Sequence, residues 1–426
     1  MTFWDAEAET LPRERLDALA LERMRATLAR VSAHPAWGRR LDGVAPGDVR
    51  APEDWRRLPF LTKEDLRDAY PFGLACGGSA GYRRIQMSSG TTGNPIVNPY
   101  TPGDVAQWGE VMARCYVAAG VSAADVIHIT PSFGLFTGGF GFHYGAERLG
   151  AMVVPVGAGR TLLQLKLMRD LRATVLAAIA TYPLRLIEVA RDERVDLGAL
   201  ALRVGILGSE MWTDELRARI ERELAIRTFD IVGMTETGGP GMGIDCEARA
   251  GIHVWEDHYH VEIVDPRTGD ARADGEEGEL VVSTLTREGL PLVRYRTRDL
   301  TRVVSRGPCA CGRTALRIDR LRGRTDDMMI VKGVNVYPRQ IEATLLRQPG
   351  FGHEYRIVLE ADAGGERMTV DVEVEPGHDP GAIPRVRREL QDLLGVSAEI
   401  RTCAPGVLER SPGKAVRVVD RRGVAR

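Results

Sequence analysis

Apolar and polar positions change period along the chain, and the changes mark its elements. Between residues 11 and 30, Leu16, Leu19, Ala20, Met24 and Leu28 recur at helical spacing, which predicts an amphipathic helix. A turn-rich connection over 46–59 follows. Thr62 before Lys63, Glu64 and Asp65 then reads as a helix N-cap with acids in the first turn. From there to about Gly233, short apolar runs alternate with helical stretches. Strands are predicted at 126–129, 152–155, 175–179, 204–207 and 228–232, and helices at 162–171 and 213–224. A Gly-rich segment and a further helix follow the first of these strands. Such alternation predicts an α/β architecture with parallel strands and a ligand site at their carboxyl ends.

After Gly251 the period falls to two. Residues 260–265 alternate, a turn occupies 266–269, and 278–283 reads as the next strand, which predicts a β-rich subdomain. A last segment begins at the polar run Arg324, Thr325, Asp326 and Asp327. It holds predicted helices at 338–346 and 385–394 and a pair of strands at 356–360 and 368–375. The expected fold is therefore α/β. A large N-terminal domain of several subdomains, 1–325, has parallel sheets and a β-rich part, and a small α+β domain, 326–426, follows. No internal repeat is visible.

Bulk properties narrow the function classes. The 426 residues exceed one ordinary core. With 44% hydrophobic and 27% charged residues the chain has the composition of a soluble globular protein. A net charge of −2 provides no basic field for nucleic acid or an anionic membrane. The first residues lack a basic region and an apolar core, so no signal peptide is read. The most apolar stretch, 173–187, is interrupted by Thr181, Pro183 and Arg185, which argues against a membrane span. Six cysteines at this length do not make a disulfide framework, so a cytoplasmic location is expected.

Five stretches carry candidate chemistry. Ser88, Ser89, Gly90, Thr91, Thr92 and Gly93, before Asn94 and Pro95, follow a short strand-like run. Glycines let backbone N–H groups approach phosphate oxygens, and hydroxyls donate further hydrogen bonds. No lysine follows the last glycine, so this is not a Walker A loop. Read alone, the stretch is also an ordinary linker. Thr235 and Glu236 stand directly after an apolar strand, where a carboxylate can hold Mg²⁺. Asp299, within Tyr295-Arg296-Thr297-Arg298, can accept two ribose hydroxyls. Arg324 and Asp326 lie at the composition break, and Lys414 follows Ser411, Pro412 and Gly413 near the C-terminus. Taken singly, each of these is equally an ordinary strand end, linker or solvated lysine.

Together, in this order and spacing, the five stretches resemble the adenylate-forming superfamily of acyl- and aryl-CoA ligases. Gly134-Leu135-Phe136-Thr137-Gly138-Gly139, His143-Tyr144-Gly145-Ala146-Glu147 and Lys332-Gly333-Val334-Asn335-Val336-Tyr337-Pro338 are similar to its phenylacetate–CoA ligase-like branch. The resemblance implies that the 88–93 loop holds the ATP phosphates, that Glu236 binds Mg²⁺ and that Thr235 lies at the α-phosphate. Asp299 would bind the ribose with Arg324 near it, and Gly208, Ser209 and Glu210 would line the adenine and acyl pockets. Asp326 would be the hinge of a mobile C-terminal domain whose Lys414 completes the adenylation site. The implied reaction has two halves. A carboxylate attacks the α-phosphate of MgATP to give an acyl-adenylate, and a thiol then displaces AMP.

The cysteines add a further signal. Cys246, His253, Cys309 and Cys311 offer three thiolates and an imidazole, a set suited to tetrahedral, structural Zn²⁺, with His258 and His260 as rival nitrogen ligands. The branch resemblance favours the Cys-x₆-His…Cys-x-Cys set. Cys76, Cys115 and Cys403 read as small buried hydrophobes. For the acid, Phe133, Phe136, Phe140, Phe142 and Tyr144 cluster among glycines, which suits an aromatic acid, although several of these rings can equally serve the core. The pocket is expected from Phe133, Gly134, Phe136, Gly138, Gly139 and Tyr144. Close phenylacetate ligases tend to have Tyr-Gly where this chain has Phe133-Gly134, so an aryl or arylacetic acid other than phenylacetate, such as a substituted benzoate, is equally compatible. The thiol is coenzyme A or the phosphopantetheine arm of a carrier protein. A homodimer is left open. A non-catalytic nucleotide-binding protein on the same scaffold is the alternative from another class, and the presence of Glu236, Asp299 and Lys414 argues against it.

Overall fold

The computed structural model describes residues 2–41, 43–88, 94–327, 329–332, 334–362, 365–409 and 417–422. The chain packs as two compact units, one of residues 1–209 with 223–321 and one of 210–222 with 322–426.

In the larger unit the predicted parallel strands form. They are β3 (Val126–Ile129), β4 (Met152–Pro155), β5 (Val175–Ile179), β6 (Val204–Gly208) and β7 (Arg227–Met234), ordered β7-β6-β5-β3-β4. Val175, Leu176 and Ala177 are fully buried, as continuous apolar runs covered on both faces must be. The alternation did not disclose what happens beyond β7. There β8 (Gly239–Ile244) turns back antiparallel, and β9 (Ile252–Val254), β14 (Arg317–Ile318) and β13 (Val303–Ser305) extend the same sheet. A separate antiparallel run, β10 (Tyr259–Val264), β11 (Gly278–Thr284) and β12 (Tyr295–Thr301), is the β-rich part. A hairpin of β1 (Arg84–Met87) and β2 (Val97–Tyr100) precedes the large sheet.

Two helices between β2 and β4 carry the packing around the site. Helix α5 (Pro102–Ala118) starts at a capping box in which Thr101 and Asp104 satisfy each other's backbone N–H. Helix α6 (Thr137–Leu149) ends at Gly150 in the left-handed conformation. Gly141 and Gly145 lie four apart on α6, and a Cβ on either would come within 2.6 Å of Pro240 or 2.4 Å of Met112. Close approach of helix α5 and strand β8 to α6 therefore depends on these two missing side chains. The N-terminal helices α1 (Ala6–Glu9), α2 (Arg13–Ser32), α3 (Pro35–Arg40) and α4 (Lys63–Asp68) lead into the sheets. Met24, Leu28, Trp37 and Trp55 of this region form a second core with Leu290, Leu292 and Tyr295.

The smaller unit has its own core. The long strands β18 (Phe351–Asp362) and β19 (Gly365–Val374) pair antiparallel, with β20 (Ala398–Cys403) parallel to β19 and β21 (Val418–Asp420) parallel to β18. Helices α10 (Pro338–Leu346) and α11 (Ala382–Leu394) complete it. On α11, Ala382, Val386, Leu390 and Leu394 recur every four residues and are buried. No described helix is long and apolar enough to cross a membrane.

Candidate functional site

Because β3, β6 and β7 are parallel neighbours or near neighbours, their carboxyl ends fall along one edge of the large sheet. Phe133 to Gly139 follow β3, Gly208 and Ser209 end β6, and Thr235 and Glu236 follow β7. The candidate residues thus gather where ligand sites of open α/β sheets form. Gly208 is required by packing, since a Cβ there would sit 2.4 Å from the Ile231 carbonyl of β7. Ser209 takes a left-handed backbone, φ 68°, as the chain leaves the strand.

Glu236 lies in the turn between β7 and β8. Thr237 N–H donates to the Met234 carbonyl at 3.1 Å and Gly238 N–H to that of Thr235 at 3.2 Å. Glu236 is 6% exposed. Its Oε1 accepts from the Tyr295 hydroxyl at 3.2 Å and lies 3.7 Å from Lys63 Nζ on α4. A buried carboxylate with a cation alongside suits binding of metal and phosphate. Neither Lys63 nor Tyr295 stood out in the sequence. In the sequence Lys63 reads only as part of a helix start, and Tyr295 only as flanking Asp299. The helix start itself is real, with Thr62 Oγ1 accepting from Asp65 N–H at 3.2 Å.

Ser89 to Gly93 lie outside the described residues, as does Lys414. The residues on either side of the loop pair with each other. Ser88 N–H donates to the Ile96 carbonyl at 3.1 Å, and Ile96 N–H returns a bond to Ser88 Oγ at 2.9 Å. Met87 N–H donates to the Leu135 carbonyl at 2.8 Å. The buried Gln86 amide, assigned with its nitrogen as donor, reaches the carbonyls of Gly134, Leu135 and Phe136 at 3.0, 2.8 and 3.1 Å. The start of the hydroxyl-rich loop is thereby tied to the segment expected to receive the acid.

In that segment, Phe133 meets Phe140 edge-on at 5.3 Å, and Phe140 stacks near Tyr144 at 6.2 Å between centroids. The Arg84 guanidinium lies 4.0 Å from the Phe140 centroid. Phe142 turns away and packs with Tyr116 in the core. A Cβ on Gly138 would meet the Phe136 ring at 2.5 Å, and one on Gly139 the Ser132 carbonyl at 2.6 Å. These two glycines admit the protein's own groups.

Asp299 is buried on β12 at a register shift against β11, and the preceding Arg298 has φ 67°. A bulge of this kind re-aims a side chain locally. In the smaller unit, Arg324 and Asp326 form a two-pronged ion pair at 2.8 and 3.0 Å.

Cys246, His253, Cys309 and Cys311 converge, with all four ligand atoms within 4.8 Å of one another. His253 Nε2 lies 3.4 Å from both Cys246 Sγ and Cys311 Sγ. His258 is committed elsewhere, to Asp257 at 3.2 Å and Thr286 at 2.9 Å, and burial pushes its imidazole down to about 4. The hydrogen bond between Cys246 and Cys311 raises the first thiol and, with help from His253, lowers the second. Cys115 is fully buried and accepts from the Trp255 indole at 3.4 Å.

Residues 84–286 match the AMP-binding enzyme family model, and 333–422 match the AMP-binding enzyme C-terminal domain. Fold, site and these two matches define an adenylate-forming enzyme. The chain is 40% identical to phenylacetate–coenzyme A ligase of Aromatoleum evansii over 97% of its own length and 96% of that protein's. It is 41% identical to the Thermus thermophilus enzyme of the same name, over 99% and 100%. A solved structure of 2-hydroxyisobutyryl-CoA ligase in complex with 2-HIB-AMP superposes with a TM-score of 0.92 at 26% identity, covering 99% of this chain and 92% of that one. The chain belongs to the phenylacetate–coenzyme A ligase family of AMP-forming acid–thiol ligases.

Proposed function

We propose that this protein activates an aromatic carboxylic acid with ATP and passes the acyl group to coenzyme A. The observation that carries this reading is the buried Glu236 carboxylate at the carboxyl end of β7, with Lys63 3.7 Å away and the pocket segment after β3 on the same sheet edge. The acid oxygen attacks the α-phosphorus, the bond to pyrophosphate breaks, and the mixed anhydride forms. The sulfur of coenzyme A then attacks the acyl carbon and AMP leaves. Glu236 is the proposed holder of Mg²⁺, which would supply neutralisation of phosphate charge. Thr235 would donate to the α-phosphate, Asp299 would accept the ribose hydroxyls with Arg324 beside it, and Ser88 to Gly93 would cradle the polyphosphate. Lys414 would pair with the charge developing during adenylation. Asp326 is proposed as the hinge between domains 1–325 and 326–426.

The cysteine cluster is proposed as a structural zinc centre. Tetrahedral Zn²⁺ with Zn–S bonds of about 2.3 Å sets its sulfurs about 3.8 Å apart, and Cys246 Sγ and Cys309 Sγ are 3.8 Å apart. Four protein ligands leave no open position, so its contribution would be to hold the loops after β8 and β13 together.

ATP–pyrophosphate exchange across a panel of benzoic, arylacetic and fatty acids tests the reading. The expected result is exchange with one aromatic class alone. Phe133 makes substituted benzoates a necessary part of the panel beside phenylacetate. Exchange only with fatty acids, or none with any acid despite ATP binding, would overturn it.

A further inference from the structure

Behind the Glu236 turn lies a buried side-chain relay that the proposed reaction does not use directly. Asn98, on β2, is fully buried. Its Nδ2 donates to the Thr235 carbonyl at 2.5 Å and the Glu236 carbonyl at 3.2 Å. Both amide protons are thus spent on two successive carbonyls of the turn that carries the Glu236 carboxylate. The orientation of the amide is fixed from its other end, where Oδ1 accepts from Arg287 NH2 at 2.8 Å. Arg287 is 2% exposed, donates to the Pro99 carbonyl at 3.2 Å and lies 4.3 Å from the Tyr100 ring centroid. Its NH1 is 3.6 Å from Asp104. Asp104 is in turn held by the N–H groups of Thr101, Glu288 and Gly289 at 3.0, 2.8 and 2.9 Å. Gly238 closes the turn at φ 106°, and a Cβ there would come within 3.3 Å of Arg287 NH1. The relay therefore runs from a helix cap, through a buried ion pair, to the backbone of the proposed metal-binding residue.

We propose that Asn98 is a positioning residue for cation binding by Glu236. Two consecutive carbonyls facing one side are a turn geometry, and the amide that faces both sets the pitch of the peptide planes on either side of the Glu236 Cα. The carboxylate's approach to a cation follows from that pitch. Groups that orient a metal ligand from behind commonly alter metal affinity by about 10–100-fold when removed. The inference rests on the reading of Glu236 as the magnesium ligand.

The test uses the full chain and Mg²⁺ as the titrated ion, with Asn98→Ala, Asn98→Asp and Glu236→Gln beside the unaltered protein. Asn98→Asp keeps the shape and the Arg287 partner while removing both donors. The Mg²⁺ concentration for half-maximal ATP–pyrophosphate exchange is expected to rise about tenfold in both Asn98 variants. Thiolysis of a supplied acyl-adenylate is expected to stay at the unaltered rate. An unchanged magnesium requirement in Asn98→Asp, where Glu236→Gln raises it, would overturn the positioning role. Equal loss of both half-reactions would overturn it as well, marking Asn98 as structural. A Glu236→Gln protein with an unaltered magnesium requirement would instead remove the reading of Glu236 on which the proposal stands.

Discussion

The two ends of β8, a strand of six residues, treat buried polar groups in opposite ways. At the end that meets β7, Asn98, Arg287 and Asp104 satisfy one another and the turn around Glu236. The Arg287 and Asp104 charges balance within the protein. At the other end, just past Ile244, three thiols and an imidazole crowd together. That end has acids without a matching protein cation inside the ligand set. A balanced network can orient a catalytic group and leave it free for substrate, whereas an unbalanced one suits the metal proposed to close it.

Breaking the balanced end should cost most. Arg287→Met leaves Asp104 buried without its partner, and urea unfolding should show a loss of about 3–5 kcal/mol. A loss below about 1 kcal/mol would mean the pair is solvated and the comparison misplaced. Lys414→Ala addresses the reaction that the balanced end is proposed to serve. Adenylation should slow by about 10²–10³-fold, with thiolysis of supplied acyl-adenylate nearly unchanged. Equal slowing of both halves would count against a lysine used in one half alone.

Glu342 on α10 gives a milder case of imbalance in the smaller unit. Burial pushes its carboxyl up to about 7, opposed by Arg417 and reinforced by Glu210, with Arg339 and Glu354 also near. Its folded value lies above its unfolded one, so folding holds the proton more tightly. Stability therefore falls as pH rises from about 4.5 to about 7 and levels off above. Glu342→Gln should match the unaltered protein at pH 4. At pH 8 it should exceed it by on the order of 3 kcal/mol, read from denaturant melts at both pH values. Equal melts at both would place the carboxylate in water. The smallest effect is expected at the metal end. Cys309→Ser should lose bound zinc by elemental analysis and lower Tm by about 5 °C, on a scale of roughly 2–4 °C per kcal/mol. Its exchange rate at 25 °C should remain. Full zinc content in that variant would exclude Cys309 as a ligand.

Much of this was legible in the chain because it depends on local periodicity. The strands at 126–129, 152–155 and 175–179 and the helix at 338–346 appear with the bounds their patterns predict. The reversal at β8 was not legible, since Gly239, Gly241 and Gly243 give that strand no alternating signature. The candidate nucleotide residues stood out through the resemblance that their joint order and spacing carry, since each alone is an ordinary strand end, linker or lysine. Asn98, Arg287 and Lys63 did not, because each acts through partners more than one hundred residues away and none sits in a distinctive local pattern. The choice of His253 over His258 came from the branch resemblance, since both follow Cys246 at workable distances in sequence, and the structure gathers His253 with the three thiols.

Product analysis tests the central claim most directly. The protein would be incubated with MgATP, coenzyme A and each aromatic acid in turn, and the products resolved by mass spectrometry. The account predicts AMP and an aryl-coenzyme A thioester in equal amounts with one class of aromatic acid, and none without acid. Formation of ADP, or of AMP without a thioester from any aromatic acid, would contradict it.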